Sequence, residues 1–164
     1  MVIDYLQIIA PADIRATDKQ NTDKAVSELK RLSRYYSIPV IGISSFNRDN
    51  YTAPVNLASF KESGAIEYSS DVLIGLQYKG MDYQEGETDK ERQKRIRELV
   101  KTAEQQGICG QTQSIQVKIL KNRNGSKGSA LLDFYPMFNY LTEKREGEGH
   151  KENNWSRAES CYRR

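Results

Sequence analysis

"MVIDYLQII", residues 1–9, is β-branched, aromatic or aliphatic except for Asp4 and Gln7. Such a run reads as a buried strand. Because it starts at Met1 with no polar lead-in, the chain reads as one that opens inside a domain. Asp4 then needs an explanation, since an unpaired carboxylate on a buried strand costs on the order of several kcal/mol. It either caps the turn that follows or lies where a metal or cation meets it. Beyond the loop "APADIRATDKQNTD", Ala25, Val26, Leu29, Leu32 and Tyr36 keep helical spacing, so a helix is expected over 22–36 with Thr22 or Asp23 at its start. Ile38-Pro39 ends it, and "VIGISS" at 40–45 has the continuous apolar character of a strand covered on both faces. Strand, helix, strand in that order predicts a mostly parallel sheet with flanking helices, an α/β fold.

The second half of the chain has a different pattern. "FNRDNYTAPVNLASFKESG" reads as a long loop holding a short helix around 57–68, with Leu57, Phe60 and Ile66 on one side. "DVLIGLQY" at 71–78 is a strand. Residues 80–112 mix both signs of charge densely around Ile96, Leu99 and Val100, which suits an exposed helix or a mobile insertion. "SIQVKIL" at 114–120, the turn "NGSKG" and "SALLDFY" form a C-terminal β-hairpin, with "FNYL" as a further short strand. From Thr142 to Arg164 apolar residues are too sparse to build a core, so a core of 1–141 followed by a disordered tail at 142–164 is expected.

Composition narrows the function. The 164 residues carry 25 basic and 22 acidic side chains, a formal charge of +3, so contact with nucleic acid depends on where cations are placed and not on their excess. Cys109 and Cys161 lack CxxC spacing and His150 is the sole histidine, which speaks against a zinc site and for a reduced, cytoplasmic protein. No apolar run is long enough to cross a bilayer.

Two further stretches carry candidate chemistry. In "LKNRNGSKGS" at 120–129, strand alternation puts Lys121 and Arg123 on the same side, where both could reach one anion or could be surface cations on an exposed turn. The stretch is not a phosphate loop, since G-x-x-x-x-G-K-[ST] is found neither here nor elsewhere in the chain. Downstream of residues 40–45, Arg48, Tyr51, Phe60 and Lys61 interleave cations with aromatic rings, as single-stranded nucleic acid requires, although a plain surface loop has similar composition.

Taken in order, "VIDYLQ" (2–7), "IPVIGISSFNR" (38–48), "FKESGAIEYSSDVLIGL" (60–76) and "VKILKNRNGSKGSALLDF" (117–134) resemble the second half of the ATPase domain of DnaB-type replicative helicases. That resemblance implies a partial RecA-like P-loop NTPase fold over about residues 1–141, skipping the charged insertion. It implies ATP and Mg²⁺ as cofactors of the complete protein, single-stranded DNA as partner, and a homo-hexamer without membrane association. By the same resemblance, Asp4 falls on the Walker B aspartate that supports Mg²⁺. Lys121 and Arg123 match the basic pair that reaches the γ-phosphate held by a neighbouring subunit. Lys61, Glu62 and Gly64 match the loop that contacts single-stranded DNA, and Arg48 joins them as a DNA-binding candidate from its place among the cations and aromatics of the same long loop.

Ser45 departs from the family pattern. It stands where the family usually has a glutamine sensing the γ-phosphate, and its shorter hydroxyl cannot reach as far. The resemblance also puts the phosphate loop and the catalytic glutamate ahead of Met1, so no appreciable ATP turnover is expected of this chain alone. A non-hydrolysing DNA-binding or assembly module is the alternative.

Overall fold

A computed structural model of the protein describes residues 1–9, 15–47, 51–60 and 64–143. Strand β1 (Val2–Ile3) pairs in parallel with β2 (Ile41–Gly42), and helix α1 (Asp18–Tyr36) makes the crossover between them. Ile41 N–H donates to the Met1 carbonyl and Ile43 N–H to that of Ile3, both at 2.9 Å. The helix begins earlier than its apolar periodicity predicts. Thr17 is the N-cap and forms a capping box with Gln20, and Asp18 favours the positive end of the helix dipole. Ser37, in the left-handed region at φ 53°, closes it.

The expectation of a mostly parallel sheet is not met. Apart from the β1–β2 pair, the strands form one antiparallel sheet in the order β3 (Val72–Tyr78), β4 (Gln113–Asn122), β5 (Gly128–Tyr135), β6 (Tyr140–Glu143). Between β2 and β3 the described chain carries a 3-10 turn at Leu57–Phe60 and a six-residue helix, α2 (Gly64–Ser69), and β3 finds its ladder with β4. A register shift between Leu73 and Ile74 leaves Leu120 as the extra residue of a bulge on β4, the kind of irregularity that re-aims neighbouring side chains.

The strands expected at 1–9 and 40–45 are also shorter and more open than their apolar character suggests. Each contributes two residues, and Val2, Ile41 and Ile43 are exposed. Leu6 reaches over Gly42, where an added Cβ would meet its Cδ2 at 3.0 Å, so one face of the pair is filled. The main core is Leu6, Phe60, Ile66 and Leu73, with Ile3, Val26, Leu29, Phe46, Leu57 and Leu120 packed against it. Phe46 and Phe60 meet edge to face at 5.1 Å, an arrangement that suits the ring quadrupoles. Tyr36, expected on the packed face of α1, is exposed.

The charged segment after β3 folds as a long helix, α3 (Asp89–Ile108). Thr88 and Glu91 form its capping box, Arg95 bridges Glu87 and the Gly80 carbonyl, and Ile96 is fully buried with Ala103 a further buried residue on the same helix. Of the expected disordered tail, Thr142 and Glu143 belong to β6, and residues 144–164 lie outside the described residues. No helix among the described residues is long and apolar enough to cross a membrane.

Candidate functional site

The hairpin β4–β5 presents Lys121 and Arg123 to α2. Lys121 Nζ donates to the Glu67 carbonyl at 2.5 Å and reaches the Tyr68 carbonyl at 3.4 Å. Arg123 Nη2 donates to the same Tyr68 oxygen at 3.3 Å. The two cations therefore converge on one oxygen, as the alternation of the strand predicts. Cations at the C-terminal carbonyls of a helix satisfy orphan acceptors and oppose the negative end of its dipole.

A carboxylate that the sequence does not single out organises this cluster. Asp71, just ahead of β3, accepts from Arg123 Nη1 at 2.9 Å through one oxygen and from Lys30 Nζ at 2.5 Å through the other. Its backbone carbonyl accepts the Arg123 N–H at 2.9 Å, which extends the β3–β4 ladder to the base of the hairpin. The Lys30 hydrogen bond, aided by the nearby charges of Lys30, Arg123 and Arg34, holds the Asp71 carboxyl below the usual carboxylate range despite partial desolvation. The only sequence signal for it is an aspartate at the mouth of an apolar strand, together with a basic residue, Lys30, beside the apolar Leu29 of α1.

A second network ties the long loop to the sheet. Buried Gln77 accepts from the Val55 N–H at 2.8 Å, and its amide nitrogen donates to Asp82 at 2.9 Å and Gln116 at 2.7 Å. Lys118 closes the group with an ion pair to Asp82 at 2.7 Å. Burial pushes the Asp82 carboxyl up, but hydrogen bonds from Lys118, Gln77 and Gln116 outweigh it and leave its pKa lowered. Gly75 lets Val55 close over the strand, because a Cβ there would lie 2.5 Å from Val55 Cγ2.

The remaining candidates sit apart from the hairpin cations. Asp4 follows β1 directly and is exposed, contrary to the buried position its sequence context suggests, because the strand ends at Ile3. Ser45 follows β2 and lines a cleft of about 250 Å³ with Gln7, Ser44, Asn47 and Lys19. Gln7 Nε2 donates to Ser44 Oγ at 2.9 Å across the ends of the two parallel strands, where ligands of α/β sheets bind. Gly64 is the first residue of α2 and is half-buried. Arg48, Lys61 and Glu62 lie outside the described residues. Among the described residues no three His, Cys, Asp or Glu side chains cluster as a metal cage would require. A single strand-end carboxylate fits the way Mg²⁺ binds, through one or two carboxylates with the remaining positions filled by water and substrate phosphate.

Comparison with known proteins places the chain in a family. The family described as the DnaB-like helicase C terminal domain matches residues 1–143. Replicative DNA helicase DnaB of Helicobacter pylori (strain ATCC 700392 / 26695) is 30% identical over 152 residues, covering 83% of this chain and 31% of that protein. DnaB of Geobacillus stearothermophilus is 30% identical over 85% of this chain and 26% of its own length. The chain thus spans between about a quarter and a third of these relatives. Among solved structures, an ATPase domain superimposes with a TM-score of 0.64 at 21% identity over 88% of this chain and 44% of that one. A DnaB-like replicative helicase, solved in a study of its interactions with primase, does so with the same score and identity over 88% of this chain and 30% of that one. At that identity these two matches establish the fold, an ATPase-domain architecture.

Proposed function

Because the chain belongs to the DnaB-like helicase C-terminal domain family, we propose that it serves as the carboxyl-terminal part of a RecA-like ATPase that couples ATP hydrolysis to movement on single-stranded DNA. The observation that carries this reading is the convergence of Lys121 and Arg123 on a single oxygen, that of Tyr68. Two cations that can share one backbone oxygen can share one phosphate oxygen. In a ring of copies the pair would meet the γ-phosphate held by the neighbouring subunit and stabilise the charge that develops there in phosphoryl transfer, a contribution on the order of a thousandfold or more in rate.

Asp4 would support Mg²⁺ on the nucleotide phosphates from the end of β1, and the metal would supply positive charge to offset theirs. Ser45, at the end of the adjacent strand, would face the same nucleotide with a hydroxyl of short reach. Arg48, Lys61, Glu62 and Gly64 would follow the DNA backbone. Lys61 would neutralise a phosphate, and the Gly64 position would offer backbone groups. Such a protein works in the cytoplasm.

Binding to a fluorescent oligo-dT across a salt series separates these roles. Lys61→Ala is expected to weaken binding and to lower the slope of log affinity against log salt by about one. Arg123→Ala is expected to weaken that binding far less than Lys61→Ala does and to abolish the stimulation of ATP hydrolysis when the chain is combined with ATPase-competent copies. Equal loss of both activities in Arg123→Ala would refute the division of roles.

A further inference from the structure

Lys121 and Arg123 of the hairpin are occupied in this structure, and what occupies them is specific. Lys121 and Arg123 cap the last carbonyls of α2, and Asp71 fixes Arg123 there through both its side chain and its backbone. Lys30, from α1, holds the other carboxylate oxygen. A helix of six residues is too short to be stable by its own hydrogen bonds. Its persistence depends on Ile66 in the core and on the cations at its C-terminal end. Its first residue, Gly64, belongs to the segment proposed to contact DNA.

We propose that Asp71 is a positioning residue: it seats Arg123 on the C-terminal end of α2, where Lys121 also donates, and a phosphate group competes with α2 for the same N–H donors. This rests on the reading that the hairpin takes a phosphate in trans. The Nη2 of Arg123 and the Nζ of Lys121 both point to Tyr68 O, so a phosphate oxygen bound by the pair displaces that carbonyl. A phosphate carries full negative charge and outcompetes a neutral carbonyl for a guanidinium. Taking the cations away uncaps α2 at one end and loosens Gly64 at the other. The state of the phosphate site is thereby conveyed to the DNA-contacting segment through one short helix.

The test uses the chain as it is, with sodium tripolyphosphate as the anion and two readouts: anion affinity by calorimetry and hydrogen exchange of the α2 amides by mass spectrometry. In the wild type, saturating tripolyphosphate is expected to accelerate exchange over residues 64–70. Asp71→Asn is expected to exchange rapidly there without anion and to bind tripolyphosphate up to about fivefold more tightly, the scale of an exposed charge pair removed. A gain in affinity is not what structural damage produces. If Asp71→Asn fails to fold, Lys30→Met gives the converse: the carboxylate is left to Arg123 alone, α2 exchange slows, and anion affinity falls.

Two results overturn the proposal and can be told apart. If Arg123→Ala lowers tripolyphosphate affinity while neither the anion nor the substitutions at Asp71 and Lys30 alter α2 exchange, the phosphate role of the hairpin stands and the seat is refuted. If tripolyphosphate binding is indifferent to Arg123→Ala, the phosphate role itself fails and the seat falls with it.

Discussion

Gly75→Ala tests whether the long loop and the sheet are one packed unit. Gly75 lies on the inner face of β3 between Leu73 and Gln77, and a Cβ built on it would stand 2.5 Å from Val55 Cγ2, 3.1 Å from Val55 Cγ1 and 3.2 Å from Leu120 Cδ1. Val55 is itself buried, and its N–H is held by the Gln77 side chain, so it cannot retreat without breaking that bond. Overpacking of this kind costs about 1–3 kcal/mol. Loss of glycine's freedom in the unfolded chain returns about 0.4–1 kcal/mol, which leaves a net destabilisation of about 1.3 kcal/mol at the middle of both ranges and about 2.6 kcal/mol at most. Val55→Ala alone removes the equivalent of about two methylenes, at roughly 0.8 kcal/mol each before any cavity is counted.

In the double variant the new methyl occupies the space that the valine vacates. The two costs should therefore fail to add, by about 1–2 kcal/mol, which is within the range seen for residues in contact. Equilibrium urea unfolding of the four proteins measures this, since a slope of about 1–3 kcal/mol per molar turns such energies into clear midpoint shifts. Additivity within about 0.5 kcal/mol would mean that Val55 and Gly75 do not touch and would refute the packing of the loop on β3.

Two other perturbations probe the rest of the frame. Ile96→Ala removes the one fully buried side chain of α3 and should cost about 2–5 kcal/mol in the same urea experiment; an effect below about 0.5 kcal/mol would mean that the charged helix is not docked through that residue. Asp82→Asn should be destabilising near neutral pH and progressively less so in acid. The folded carboxyl titrates below its ordinary value of about 3.9, so its contribution is present above that value and is lost as pH falls through the folded pKa. Urea midpoints of both proteins between about pH 6 and pH 2 should converge, and a gap that persists undiminished at the acid end would show that charge is not what Asp82 supplies.

The legibility of this fold follows the range of its interactions. The hairpin strands are readable because their patterning and their turn are local, and the structure places β3, β4 and β5 within two residues of the expected limits. The start of α1 escapes periodicity because "DKQNTD" is polar on every side; only the T-x-x-Q spacing of Thr17 and Gln20 marks it. The runs at 1–9 and 40–45 read as long covered strands because apolar sequence expresses a preference for cover without specifying what provides it. Val2, Ile41 and Ile43 remain exposed among the described residues.

Asp71 is beyond reach for a deeper reason. Its partners come from α1, 41 residues earlier, and from the hairpin, 52 residues later. Arg123 meets it because the antiparallel register of β3 and β4 brings its N–H to the Asp71 carbonyl, and Lys30 reaches it from α1. Lys121 and Arg123 can be picked out as a pair from alternation alone, since two residues on one strand share a face whatever surrounds them. What holds such a pair, and what it must release to act, is a property of the register, and a mostly parallel sheet would give it a different neighbour. The error about sheet direction and the failure to see Asp71 are therefore one error: the direction in which β3 pairs decides which carboxylate stands beside the hairpin cations.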